Sequence, residues 1–199
     1  MYLLPTTELE AVNTMLESIG EQPVNTLVNS GVPEVDIAYT VLTNISRDFQ
    51  AKGWHFNTET NFPLSLDVNN NLMVPANTLR VDSIDTHRDV TLRGIRLYDK
   101  EKHTYFFSES LNVDIVLFLD FMELPQAARS YLVIRASRDF QKKLVGSDTL
   151  YTLTKEDEVA ALQVLQDCED DCGDYNIFNS YDTARPINRN QNPYGRGGR

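Results

Sequence analysis

Two helical stretches in the first quarter of the chain each stop on a glycine and run into a phrase that cannot continue the helix. The first is Ser18-Ile19-Gly20-Glu21-Gln22-Pro23-Val24, the second Lys52-Gly53-Trp54-His55-Phe56-Asn57. Glycine just past a helix end supplies the left-handed conformation that closes the last turn. Pro23 then blocks a restart of the first helix. The only tryptophan of the chain, Trp54, follows directly on the second stop, where the chain changes direction. Neither phrase holds a nucleophile–base pair or a ligand set, so both specify a shape before any chemistry.

The helices around these stops read clearly. Thr7 with Glu10 three residues on forms a capping box, and Leu9, Val12, Leu16 and Ile19 recur as a stripe with Met15 beside it. Pro33 suits a first helical turn, and Glu34 and Asp36 favour its positive end. Ala38, Val41, Leu42, Ile45 and Phe49 form the buried face of this second helix, leaving Tyr39 and Arg47 to a flank.

After Trp54 the period changes from helical to two. Phe62–Leu66, Leu79–Ile84 and Val90–Tyr98 alternate between turn residues, and Tyr105–Phe107 and Val113–Leu119 add two further strands. Gly94, within the third of these, reads as a bulge or a close-approach glycine. Asp99-Lys100-Glu101-Lys102 reads as a hairpin turn. Helical periodicity returns at Leu124-Pro125 and continues through Ala128, Tyr131, Leu132, Arg135, Ala136 and Phe140 to a stop near Gly146. Thr154 with Asp157 opens a fourth helix, with Val159, Leu162, Leu165 and Cys168 as its buried stripe and Asp167, Glu169, Asp170 and Asp171 on an acidic face.

The fold expected from this pattern is α+β: an antiparallel α-helical bundle with a small β-rich unit inserted between helices 2 and 3, and an extended C-terminal arm. The expected divisions are residues 1–53 and 124–173 for the bundle, 54–123 for the β-rich unit and 174–199 for the arm. The last segment is rich in Asn, Arg, Gly and Pro and cannot bury enough surface to fold alone. It reads either as a disordered tail or as an arm that orders on another subunit or partner. On the second reading, which we adopt, Tyr175, Phe178 and Tyr181 are anchors and Arg185, Arg189 and Arg196 meet acidic or backbone acceptors. Arg129, Arg135 and Arg138 of the third helix are candidates to neutralise the acidic end of the fourth within one subunit.

Composition narrows the chemistry. A chain of 199 residues makes one domain or two small ones, and a net charge of −11 argues against ordinary nucleic-acid binding. No apolar run approaches the ~20 residues of a membrane span, and the first residues lack the pattern of a signal peptide. Cys168 and Cys172 lie four apart on one helix, a geometry poor for a disulfide, and no histidine is near enough in sequence to complete a zinc site. His55, His87 and His103 are scattered, and no P-loop, Rossmann glycine pattern or G-x-S-x-G elbow occurs. The acids from Asp167 to Asp174 lack the spacing of an EF-hand loop. Neither cofactor nor metal is expected.

Several phrases taken in order resemble one family. Thr7-Glu8-Leu9 through Ser18-Ile19-Gly20-Glu21-Gln22-Pro23-Val24-Asn25-Thr26-Leu27, Gly53-Trp54-His55-Phe56-Asn57 and Arg96-Leu97-Tyr98-Asp99 are similar to tail tubular protein A of short-tailed bacteriophages. Leu124-Pro125-Gln126-Ala127-Ala128-Arg129 and Arg135-Ala136-Ser137-Arg138-Asp139-Phe140-Gln141 continue the likeness, which reaches about Tyr181. The resemblance implies a structural virion protein of the phage tail, synthesised in the bacterial cytoplasm. It implies a dodecameric adaptor or gatekeeper ring of identical subunits, joining the portal protein to the tail nozzle protein (tail tubular protein B) and carrying the tail fibre protein. Phage DNA passes through the channel without specific binding, which an acidic lining favours by repelling phosphates. Two other classes stand beside this: a tail-associated hydrolase of cell-envelope polysaccharide using paired carboxylates, and a small monomeric module that recruits fibres.

Overall fold

A computed structural model describes residues 5–84, 88–146 and 148–172. Its elements run α1 (Glu8–Ser18), α2 (Pro33–Gln50), β1 (Thr58–Leu64), β2 (Thr78–Ser83), β3 (Val90–Arg93), β4 (Arg96–Asp99), β5 (Leu111–Leu117), α3 (Gln126–Leu144) and α4 (Asp148–Cys172). Single 3₁₀ turns at His55–Asn57 and Phe121–Glu123 lead into and out of the strands. The protein is thus an α+β fold with antiparallel sheets.

Each helix start and stop has a local cause. The Thr7 hydroxyl accepts the Glu10 N–H at 3.2 Å while the Glu10 carboxylate accepts the Thr7 N–H at 2.8 Å, so two orphan donors of α1 are satisfied at once. At its far end Glu21 N–H reaches Leu16 O and Gly20 N–H reaches Glu17 O, the paired bonds of a Schellman motif, with Gly20 at φ +84°. Gly53 sits at φ +80°. Asn13 of α1 then holds the chain after the first stop: its amide donates to Val24 O at 3.0 Å and its oxygen accepts Val24 N–H at 2.8 Å.

The helices share one apolar cluster. Ala11, Val12, Met15 and Leu16 of α1 meet Val35, Ala38, Val41, Leu42, Ile45 and Phe49 of α2, together with Phe121, Leu124 and the Ala128–Phe140 face of α3. From the described part of α4 only Leu165 is fully buried, with Ala161 and Leu162 partly so. The strands build a second cluster from Leu64, Leu72, Val74, Val81, Val90, Leu97, Phe107, Leu111, Val113 and Ile115. Three of them form an antiparallel sheet in the order β1-β5-β2, while β3 and β4 pair as a hairpin. In β1 the register breaks between Glu59 and Phe62, where Asn61 takes φ +59° and donates its N–H to the Asp114 carboxylate at 2.9 Å.

Several sequence expectations are corrected. Val90–Tyr98 is not one strand: it folds back on itself, with Arg93 opposite Arg96 and Gly94 at φ +66°. Positive φ at the first of two central residues alone is the pattern of a type II′ turn, so Gly94 is a hairpin glycine, not a bulge. Tyr105–Phe107 forms no strand; Thr104 bridges Asp99 and the chain then leaves the sheet. The Asp99 carboxylate accepts Glu101 and Lys102 N–H groups, which closes the turn there. The strand expected at Phe62–Leu66 spans Thr58–Leu64. The fourth helix begins at Asp148, not Thr154, and its inner face follows the expected stripe only in part. Leu162 and Leu165 face inward as expected, whereas Val159 and Cys168 are exposed, and Glu158, Ala161 and Glu169 join the inner face in their place. Two inward carboxylates find polar partners in neighbouring elements, so the buried face is partly ionic.

Candidate functional site

Where the helical cluster meets the strands, two buried amides make a joint. Gln50, fully buried at the end of α2, accepts Leu119 N–H at 2.8 Å and donates to Leu119 O at 3.0 Å, pairing with that peptide as a strand neighbour does. Its amide also donates to Ser46 Oγ at 3.0 Å. Asn57 donates to Gln50 O at 3.0 Å and to Leu117 O at 2.8 Å, while its oxygen accepts Trp54 N–H at 2.8 Å. Buried polar groups left unpaired are costly, so a network this complete holds one geometry.

Aromatic rings cover the joint. Trp54 stacks on Phe49 with centroids 4.7 Å apart, lies nearly parallel to Phe56 at 6.4 Å, and donates its indole N–H to Phe49 O at 2.9 Å. Gly53 is required here twice over. Besides its positive φ, a Cβ would lie 2.8 Å from the Arg80 guanidinium, 3.1 Å from Val116 Cγ2 and 3.3 Å from Thr58 Oγ1. The end of α4 reaches the same place, since the Glu169 carboxylate accepts His55 N–H at 2.7 Å.

The polar residues of α3 are anchors. Arg129, buried, donates to Leu124 O at 2.8 Å and Thr6 O at 2.9 Å, and also to Met122 O. Gln126 exchanges two 2.8 Å hydrogen bonds with Thr6, and Gln141 donates to Ser18 O at 2.9 Å at the end of α1. Arg138 pairs with Glu158 at 2.5 Å, and Arg135 donates to the Tyr131 hydroxyl at 3.0 Å. Burial opposes the Arg135 charge, but the Tyr131 hydroxyl, Glu158 and Asp139 outweigh it and raise its pKa. These are the three arginines that the sequence offers for the acidic end of α4. Their described partners lie at Thr6, Leu124, Met122, Tyr131 and Glu158, and Glu169 is met by a backbone N–H.

Two of the open surfaces among the described residues are rich in apolar or aromatic side chains. A groove of about 610 Å³ runs between α3 and α4, lined by Gln126, Ala127, Ser130, Ile134, Asp157, Ala160, Ala161 and Val164. On the β3–β4 hairpin Arg93 lies 3.6 Å over Tyr98, Tyr98 meets Tyr105 edge-on at 4.9 Å, and Arg96 lies 4.8 Å over Tyr105. Phe106, Ile95 and Met73 are exposed in the same part of the chain. No group of three or more His, Cys, Asp or Glu suited to a metal ion occurs among the described residues.

The six residues expected to bind partners, Tyr175, Phe178, Tyr181, Arg185, Arg189 and Arg196, lie outside the described residues. Gln50 is the structural residue the sequence reading missed. Its signal was present: Ser46 and Gln50 continue the arc of Leu42, Ile45 and Phe49 at helical spacing, which places an amide on the buried face.

The sequence model of a family described as tail tubular protein matches residues 9–175. The "Tail tubular protein A" of Klebsiella phage KP34 is 27% identical to this chain over 144 residues, covering 72% of this chain and 76% of the relative.

Proposed function

The chain belongs to the tail tubular protein family, and from that membership we propose that it is the subunit of a dodecameric adaptor ring between portal and nozzle. It is a structural component of the phage virion tail, not an enzyme. The polysaccharide-hydrolase alternative is thereby set aside. Among the described residues no helix is long and apolar enough to cross a membrane.

The observation that supports the adaptor reading is the amide joint. A subunit that must seat one end on the portal and the other on the nozzle needs two bodies held at a set angle. Gln50 and Asn57 tie the end of α2 to the peptides at Leu117 and Leu119, between two separate apolar clusters. On this reading 1–53 and 124–173 form the portal-facing bundle. The unit 54–123 inserted between α2 and α3 faces the nozzle and tail fibre, with the hairpin rings and Phe106 at its surface. The arm 174–199 reaches the neighbouring subunit or portal through Tyr175, Phe178, Tyr181, Arg185, Arg189 and Arg196. A net charge of −11 per subunit disfavours adhesion of DNA phosphates to the channel.

Imaging the purified protein mixed with its portal tests this directly. A twelve-fold ring seated on the portal by its helical part is the expected result. Subunits that stay single in the presence of portal, or a ring seated by its strands, would overturn it.

A further inference from the structure

We propose that the groove between α3 and α4 is the receptor for the C-terminal segment of this same chain, with Phe178 and Tyr181 as its apolar anchors. The biological use of such a contact rests on the adaptor reading; the contact itself does not.

The groove is built to take rings. Ala127, Ser130 and Ile134 form one wall and Ala160, Ala161 and Val164 the other, so small side chains face each other across about 610 Å³. That lies within the ~300–1,000 Å³ of pockets that hold ligands. Val164 is 56% exposed and Val159, on the same helix, 62%. Within its described part, α4 has one fully buried apolar side chain, Leu165. An amphipathic helix of this length normally buries a wider stripe.

The position of the chain end selects the occupant. The described chain stops at Cys172, on the helix that forms one wall. Val164 lies ~12 Å and Asp157 ~22 Å back along α4 at 1.5 Å per residue. At ~3.3 Å per residue of extended chain, Phe178 reaches back ~20 Å and Tyr181 ~30 Å from Cys172. Both anchors therefore span the groove of their own subunit, and that of a close neighbour. Charge selects the same segment. Between Lys155 and Cys172, α4 carries Glu156, Asp157, Glu158, Asp167, Glu169, Asp170 and Asp171 against one lysine, whereas the segment beyond brings Arg185, Arg189, Arg196 and Arg199 against only Asp174 and Asp182. Aromatic side chains followed by arginines fit an apolar slot with one carboxylate, Asp157, in its lining, on a helix of net negative charge.

The test uses the full-length protein carrying a photo-crosslinking amino acid in place of Val164, with products mapped by peptide mass spectrometry. Crosslinks should fall within Asp174–Arg185, whereas the same probe at Tyr39 on α2 should not reach that segment. The double variant Phe178→Ala/Tyr181→Ala should lower the yield about tenfold, as loss of ~1.4 kcal/mol of anchoring does. A product of one-chain mass assigns the contact to the same subunit and one of two-chain mass to a neighbour; either supports the proposal. Crosslinks confined to other parts of the chain or to a different protein, no crosslink at all, or a yield unchanged in the double variant would overturn it. Counting subunits in the same sample separates the two readings. A crosslink without rings on the portal sinks only the adaptor role, and rings without the crosslink sink only this contact.

Discussion

Gly20 and Gly53 share a conformation but not a neighbourhood, and that difference makes a prediction. Both have φ near +80°, which costs a non-glycine residue ~1–2 kcal/mol. A Cβ at Gly20 meets nothing within 4 Å, whereas at Gly53 it meets Val116 and Thr58 closely and displaces the Arg80 guanidinium. Gly20→Ala should thus lose only the conformational cost, and Gly53→Ala more. Gly53→Val should be the worst of the three, in chemical denaturation at fixed pH. Equal losses at the two sites would show that crowding at Gly53 is relieved without cost. Two carboxylates make a second prediction, of opposite signs. Burial, then the Asp120 charge, raise the Glu8 pKa, so the folded state binds its proton more tightly than the unfolded chain does. The resulting penalty is absent below the unfolded value of ~4.3, grows as pH rises, and is complete above the folded value. Glu8→Gln should therefore stabilise the protein at neutral pH, with the gain fading on acidification. Asp67 is the reverse. The Asn71 N–H holds its pKa down, against burial, with help from Asn69 N–H, the Asn71 side chain and Arg96. Its contribution is present above ~3.9 and lost as pH falls through the folded value, so Asp67→Asn should destabilise at neutral pH and not in strong acid. Melting temperatures of both variants across pH 3–7 check the two signs, as an order-of-magnitude window around those carboxylate values.

At the scale of elements, what the sequence showed depended on whether the signal was local. The capping box at Thr7, the Pro33 start and the α2 face from Ala38 to Phe49 need only neighbours within a turn or two, and each is present. The β3–β4 hairpin was marked too: apolar positions slip from even numbers (Val90, Leu92) to odd ones (Ile95, Leu97) across Gly94, as a turn requires. The inner face of α4 was legible only in its apolar part, Leu162 and Leu165, and not in its carboxylates. Glu158 and Glu169 turn inward because Arg138 and the His55 N–H await them, and those partners belong to elements distant in sequence. Gln50 is the same case, since nothing local says that an amide at a helix end will pair with the peptide of Leu119. That pairing can be tested alone. Gln50→Ala orphans the half-buried Leu119 N–H and C=O, each costing ~1–3 kcal/mol if unsatisfied. A loss of more than ~2 kcal/mol in unfolding free energy is expected, with Gln50→Glu no milder at neutral pH, since it buries a charge against the Leu119 carbonyl. A loss under half a kcal/mol, roughly that of an ordinary surface change, would mean that water replaces the joint.

At the scale of the molecule, the described structure is a body closed by its own contacts: capped helices, a satisfied joint and two apolar clusters. Thr6 is held by Gln126 and Arg129, the α1 end by Gln141, and the α4 end by the His55 peptide. The stability of the body should therefore be separable from the function of Asp174–Arg199. Ordering that segment costs ~1–2 kcal/mol per residue in backbone entropy, so it gains a fixed place only where a few large side chains are buried at once. On the proposed reading, association rests on Tyr175, Phe178 and Tyr181, with the arginines setting register and salt dependence. Deleting Asp174–Arg199 should leave a folded core whose melting temperature falls by no more than ~6 °C, the shift that losing ~1.4 kcal/mol of anchoring gives in a domain of this size. The same deletion should sharply reduce incorporation into virions and docking on the portal. Substituting the three aromatics by alanine should reproduce most of the assembly defect, and substituting Arg185, Arg189 and Arg196 a smaller part that disappears at high salt. A truncated protein that melts far below the full chain would make the segment part of the fold. One that melts normally and assembles normally would make it dispensable, and either result would remove the arm from the assembly mechanism.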